Sequence, residues 1–592
     1  MTRRKVQHSI YVLILLLFPL IGCNKGVSVL DDTCSIANYM NMDSLSDFWK
    51  YGYYYALLLG RAIMHLPFGT HLVAINIYSS LFVGITAVTA YLFCRKLMKD
   101  YFAFFGVFLA LTMTWCPNVI LYNYMTYFFF LLGVICLFLA VRTEQKKYYV
   151  IAGIVLAQSV FVRFPNVLEA ALILAVWFYY FIAKRKFRDA LEVTGLCVAG
   201  YVIGLAVGCI LMMICGDSPR DYMNMIRDVF TLSENASGYS LTDMIREIMG
   251  AYWHPRFFLL VMTGVTAASG FAFLIVGKLT AGKDRLQKNL MLAGKIVYGA
   301  VCLLMFYWFH RRGLFFFDYN SYGSFKIIAD MMLVILWCVA VYTVVNGKVA
   351  KEIRFYAAMM VIQLLITPLG SNNGTYPIIN NLFLLAPFLI FAWMDYVSGA
   401  GRLFGARCAR KPAVTVMSTV FLFVLLCQAL NFRLTFTFQD GNDGEVLDTQ
   451  VQGIACLEGM YTSKGRAAEL QGLAECIDSV TEETDELIVY GQAPGLFYLL
   501  DRRPATEALW LDLETNSLQS LHEDLEVIGT YENERMPYVI LGNGLTLDKM
   551  LEAGTDSEDG RKQDLLGDFL TEKEYVVIYQ TGTYVVYSCR RE

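Results

Sequence analysis

The sequence predicts a polytopic α-helical membrane protein, with about thirteen transmembrane helices and a C-terminal extracytoplasmic α/β domain. Hydrophobic residues make up 57% of the 592 and charged residues only 17%. Soluble domains carry roughly 25% charge, so this chain is composed for lipid. Its apolar runs are separated by short clusters of Lys and Arg, and beyond Phe432 the composition turns soluble. Net charge is -3, and no basic run is long enough to suggest nucleic acid as a partner.

A bilayer core takes about 20 apolar residues per helix. Candidate spans are 9–24, 71–94, 101–119, 122–141, 148–162, 167–183, 191–214, 258–277, 291–309, 327–345, 355–369, 381–396 and 414–432. With the N-terminus in the cytoplasm, the inner segments include Arg95-Lys96, Arg142 to Lys147, Lys184-Arg185-Lys186, Lys278 to Lys288, Lys348 to Arg354 and Arg402 to Lys411. That side holds about 24 Lys and Arg, against about 11 on the outer side over longer loops. This is the positive-inside bias, and an odd number of spans places the C-terminal domain outside. Arg3, Arg4 and Lys5 ahead of the run Ile10 to Cys23 fit either a signal peptide or a first membrane helix. The spans that follow favour an uncleaved helix.

The expected division is a membrane domain over 1–432, with outer loops at 25–70 and 215–257, and an extracytoplasmic domain over 433–592. In the first loop, Leu45 to Leu59 reads as a helix lying in the interface, with its aromatics at headgroup depth. In the C-terminal domain, Leu487 to Gly491 and Tyr538 to Gly542 read as buried strands ending in Gly. Tyr575 to Tyr579 and Tyr584 to Tyr587 form a hairpin around Gln580-Thr581-Gly582-Thr583. Ala467 to Val480 has helical spacing, and no Walker A or GxGxxG motif is present. Most of the fifteen Cys lie in apolar runs and serve as small hydrophobes. Cys456 and Cys476 are the candidates for a bridge in the outer domain.

Asp31 and Asp32 stand together just beyond the first helix. A carboxylate there suits a general base toward an acceptor hydroxyl, and two adjacent ones suit divided roles or a divalent metal. A first helix, an acidic pair opening a long outer loop, amphipathic helices in that loop, alternating spans and an outer α/β domain together resemble the GT-C superfamily of membrane glycosyltransferases. The nearest branches are the protein O-mannosyltransferase-like and aminoarabinose transferase-like enzymes. Gly491 to Ala505 is similar to the C-terminal domains of bacterial members. The usual Asp-Glu pair is Asp-Asp here, and no WWDYG motif of the oligosaccharyltransferases is present, which sets aside en bloc transfer to Asn.

The resemblance implies an inverting hexosyltransferase of the bacterial plasma membrane, with Asp31 or Asp32 as base. It would take a sugar from a polyprenyl-phosphate carrier and pass it to a glycan, lipid or protein acceptor. A phosphate leaving group calls for outer cations. The candidates are Arg163, alone in a short outer turn, and His310-Arg311-Arg312. Asn372, Asn373 and Tyr376, in the Gly-rich turn before span 381–396, are candidates for contacting substrate. The rival readings are a transporter or flippase, a cell-surface polysaccharide polymerase or ligase, and a non-catalytic sensor. Transporters tend to carry ionisable residues at the midplane and paired broken helices, a pattern not seen here.

Overall fold

The computed structural model describes residues 3–235, 241–405, 411–441, 444–552, 554 and 557–589. Part of the second outer loop and the middle of the Arg402 to Lys411 cluster therefore lie outside the described residues. Each expected span coincides with a helix. Among the described residues, eight helical segments are long and apolar enough to cross a membrane. They are Leu72–Cys94, Leu121–Thr143, Phe164–Ile182, Phe187–Ile214, Leu241–Leu279, Asp284–Arg311, Gly323–Val345 and Pro412–Thr435. Five other expected spans fold as helices of 14 to 16 residues: Arg3–Leu17, Asp100–Met113, Lys147–Val162, Lys351–Ile366 and Leu385–Ser398. At 1.5 Å per residue these reach about 21–24 Å, short of a hydrocarbon core of about 30 Å.

Burial divides the bundle into centre and rim. Leu121–Thr143 buries Tyr124, Phe130, Leu131, Val134 and Leu137, whereas Arg256–Leu279 and Asp284–Arg311 leave Leu260, Phe271, Ile296 and Leu304 exposed, as lipid-facing helices do. Lys147–Val162 packs against Phe187–Ile214 at backbone distance. A Cβ on Gly153 would sit 2.1 Å from Cys197 O, and one on Gly200 2.1 Å from Val150 O. Gly200, Gly204 and Gly208, one turn apart, make the small-residue stripe that lets membrane helices approach closely.

The first long loop, between Arg3–Leu17 and Leu72–Cys94, is more helical than the sequence suggests. It contains Asp31–Met40, Asp47–Gly52 and Tyr54–Met64, so the acid pair opens a helix where an irregular loop is expected. Lys50 bridges Asp217 at 2.6 Å and Tyr54 donates to Asp217 Oδ2 at 2.7 Å. These bonds tie this loop to the start of the second.

The C-terminal region is α/β. Thr449–Gln450 (β1) pairs antiparallel with Tyr461–Thr462 (β2). A five-stranded sheet then combines Glu486–Tyr490 (β3), Arg503–Pro504 (β4), Tyr538–Leu541 (β5), Val576–Gln580 (β6) and Val585–Ser588 (β7), in the order β4-β3-β5-β7-β6. β4, β3 and β5 are parallel, and β5-β7 and β6-β7 antiparallel. β3 and β5 are near-continuous apolar runs because helices cover both faces of a parallel sheet. Cys456 and Cys476 are not bridged. The Cys456 thiol points instead toward the carbonyls of Tyr498 and Leu499.

Asp524, in the helix Leu518–Ile528, has a buried Oδ2 without a partner. Burial, then the charges of Glu507 and Glu523, raise its pKa to about 7. The folded state thus binds a proton that the unfolded chain releases near pH 4, so stability falls as pH rises from there toward 7. Thermal unfolding of the detergent-solubilised protein from pH 5 to 8 should show a midpoint that declines with pH. Asp524→Asn should flatten this slope and raise the midpoint at pH 8.

Candidate active site

The loop after the first helix, the turn after Lys147–Val162, the turn at 370–374 and the C-terminal region enclose a cavity of about 560 Å³. Asp31, Arg163, Asn372 and Asn373 all line it, and the C-terminal region adds Gln492, Trp510, Asp512, Glu514 and Asp559. Asp31 is the first residue of the helix Asp31–Met40, where the helix dipole favours a negative charge. Tyr39, on the same helix, donates to Val119 O at 2.7 Å and pins it to the bundle. At its other side the helix meets Gly495, where a Cβ would lie 1.8 Å from Thr33 Oγ1. Only glycine admits that contact.

Burial raises the pKa of Asp31, opposed by a hydrogen bond from Gln439 Nε2 to Oδ2 at 2.6 Å. Asp32 is pushed up to about 6, again chiefly by burial, with the Thr33 N–H pulling the other way and the Asp31 charge adding to the rise. The two acids face different spaces. Asp32 lines a smaller cavity of about 220 Å³ with Asn76, Ser80, Asn118 and Arg433.

Arg163 is extended, at φ -161° and ψ 126°, and ends its helix. Its Nη2 donates to Gly370 O at 2.7 Å, and its guanidinium lies 5.9 Å from the centroid of the Tyr122 ring. Gly370, at φ +82° and with Pro165 Cβ 2.5 Å from where its own Cβ would be, accepts no side chain. The Arg163 bond thus carries the 370–374 turn to the cavity wall. Asn373 N–H donates to Ser371 Oγ at 3.2 Å and closes the turn.

The C-terminal wall is braced from behind. Gln492 adopts a left-handed φ of +60°, a cost of about 1–3 kcal/mol for a side-chain-bearing residue. Its backbone N–H and Nε2 both bond Asp512 Oδ2, at 2.9 and 2.7 Å. Lys562, buried, donates to Leu511 O and Leu513 O at 3.2 and 3.0 Å and holds the turn that carries Asp512. Burial lowers the Lys562 pKa and raises that of Asp512. Tyr490 OH donates to Asp559 Oδ1 at 2.7 Å. This wall is anionic, and Arg163 lines the same cavity.

His310, Arg311, Arg312 and Tyr376 are not among the residues lining this cavity. His310 bonds Phe315 O at 2.8 Å and stacks on Phe315 and Phe317, while Arg312 lies over Trp308 and Phe257. Tyr376 packs between Trp115 and Tyr322 beneath Lys326. Among the described residues no three His, Cys, Asp or Glu side chains gather as a metal site. Asp31 and Asp32 diverge into separate cavities, so the pair does not fit a shared chelate. Gln492 falls within the Gly491 to Ala505 stretch noted in the sequence. Gln439, Asp512, Glu514 and Asp559 carry no pattern that would have marked them.

No protein-family model matches the chain, and no curated protein sequence does either. Solved structures of the oligosaccharyltransferase of Archaeoglobus fulgidus are similar in layout. One, tethered with an acceptor peptide containing the NVT sequon, is 14% identical over 99% of this chain and 74% of that one, with a TM-score of 0.46. The same enzyme in complex with Zn and sulfate is 14% identical over 98% and 72%, at 0.47. A third, with an inhibitory peptide and a dolichol-phosphate, is 14% identical over 100% and 75%, at 0.44.

The Arg163–Gly370 bond makes a local prediction. Arg163→Ala should speed amide hydrogen exchange in residues 370–376 and leave residues 27–33, held by other bonds, unchanged. Equal protection of 370–376 in both proteins would mean that the bond does not hold the turn.

Proposed function

We propose that the chain is a membrane glycosyltransferase that moves a sugar from a polyprenyl-phosphate donor to an acceptor hydroxyl at the outer face of the plasma membrane. The observation that carries this reading is one cavity in which Asp31 and Arg163 face the same space beneath a C-terminal roof. A carboxylate and a guanidinium across a partly enclosed space suit a displacement that consumes a proton acceptor at one end and creates phosphate charge at the other. The sequence resemblance to GT-C enzymes supports the same assignment.

The acceptor hydroxyl gives its proton to Asp31 as its oxygen attacks the anomeric carbon. The bond from that carbon to the donor phosphate breaks, and its electron pair leaves with the polyprenyl phosphate. Arg163 offsets the charge that develops there. Attack opposite the leaving group inverts the anomeric centre. Asn372 and Asn373 stand beside Arg163 to bond sugar or phosphate oxygens. The anionic wall of Asp512, Glu514 and Asp559 repels phosphate and so leaves its side of the cavity to the acceptor. We assign His310, Arg311 and Arg312 to anchoring at lipid headgroups, as their aromatic stacking favours. No step is routed through a metal.

Transfer of radiolabelled sugar from polyprenyl-phosphate donors in membranes tests this reading. Asp31→Asn should lower transfer by about 10²–10⁴-fold, the usual worth of a general base. Asp32→Asn should retain measurable transfer, since its carboxylate lines the other cavity. Normal transfer in Asp31→Asn at equal protein levels would remove Asp31 from the mechanism.

A further inference from the structure

The acid of the first loop is held by a residue more than 400 positions away. Gln439 follows the last membrane helix, Pro412–Thr435, in a short linker that runs past the start of Asp31–Met40. Its φ of +52° is in the left-handed region, which a residue with a side chain occupies only where its surroundings over-determine it. Next to it, Asp440 accepts from Val27 N–H at 2.8 Å and from Thr462 Oγ1 at 2.5 Å, which sets the linker's register against the first loop.

The bonds at Gln439 have a direction. Leu30 N–H donates to Ser28 Oγ at 2.9 Å, and a backbone N–H can only donate. Ser28 Oγ passes its own hydrogen to Gln439 Oε1 at 2.8 Å. That leaves Nε2 facing Asp31, to which it donates at 2.6 Å. Reversing the amide would set its oxygen against the carboxylate and leave Ser28 without an acceptor there. The chain of bonds therefore occupies Asp31 Oδ2, in a residue that lines the cavity.

We propose that Gln439 is a positioning residue for the transfer reaction, holding the Asp31 carboxylate so that Oδ1 receives the acceptor proton. This rests on the reading of Asp31 as the base. It also makes the linker between the membrane helices and the C-terminal region a working part of the site, because Gln439 keeps its place only while Asp440 and Tyr461 are docked on the first loop.

The test compares wild type with Gln439→Met, Gln439→Glu and Asp31→Asn in membranes. The donors are radiolabelled mannose, glucose and N-acetylglucosamine, each on undecaprenyl phosphate. Methionine keeps the length of the side chain and loses the donor. Glutamate keeps its shape and an acceptor for Ser28, but sets a second carboxylate against Asp31. The expected result is a fall in kcat of about ten- to a hundredfold in both variants, the worth of a hydrogen bond to a charged group. KM for the donor should stay within about twofold of wild type, since the bond orients the base and touches no donor atom. The glutamate variant should be at least as impaired as the methionine variant, whereas a purely structural role would leave the near-isosteric glutamate close to wild type.

Wild-type kcat in Gln439→Glu, or losses confined to KM, would overturn the positioning role. If Asp31→Asn is inactive in that same experiment, the base assignment survives alone. If Asp31→Asn turns over normally, both fall together. Absence of transfer from all three donors in wild type would overturn the enzyme reading and this role with it.

Discussion

The Asp440 carboxylate is the point on which the joining of the first loop to the C-terminal region depends. It is buried, accepts from the Val27 amide and the Thr462 hydroxyl, and lies 3.5 Å from the Arg466 guanidinium. A buried carboxylate is costly unless such donors surround it, so the segments that supply them must assemble together. Around it, Tyr461 N–H donates to Asn24 O and Gly26 N–H to Tyr461 O, while Gly495 N–H donates to Val29 O. The backbone of residues 24–30, irregular and away from any helix, thus finds its partners in the C-terminal region. Gly26, at φ +90° with Thr437 Cγ2 2.3 Å from where a Cβ would be, allows the close approach. The first loop and the C-terminal region therefore form one structural unit, although the whole membrane bundle separates them in sequence.

That dependence marks where reading the sequence succeeds and where it stops. Apolar length and the clustering of Lys and Arg are local properties, so every expected span finds a helix, as do the buried strands Glu486–Tyr490 and Tyr538–Leu541. The length of the shorter helices is less legible, because polar neighbours such as Asn380 and Asn381 end an apolar run in ways that depend on packing. Asp31, Arg163, Asn372 and Asn373 could be picked out as chemically apt residues in outer turns. Their convergence on one cavity is a product of tertiary structure. Gln439 could not be picked out at all. A lone amide in a polar linker has no periodicity or motif, and its meaning comes only from what it touches. His310-Arg311-Arg312 illustrates the converse: a conspicuous basic cluster whose contacts are aromatic neighbours of its own segment.

The acid pair shows what adjacency in sequence does and does not imply. In an extended loop two neighbouring carboxylates could turn toward one ligand. In the first turn of a helix they are rotated by about 100° from each other, and here that rotation sends them into separate cavities. Their environments then differ. Burial pushes Asp32 up to about 6, whereas Asp31 has a side-chain amide donor on Oδ2 to support its ionised form. When two like acids are placed in unlike surroundings, the one with the better hydrogen-bond support for its charge is the one available to accept a proton during reaction. On that argument we propose Asp31, braced by Gln439 and lining the same cavity as Arg163, as the base. Asp32, whose side chain accepts from the Thr33 amide at the same helix start, is on this proposal the residue that holds the turn that aims it.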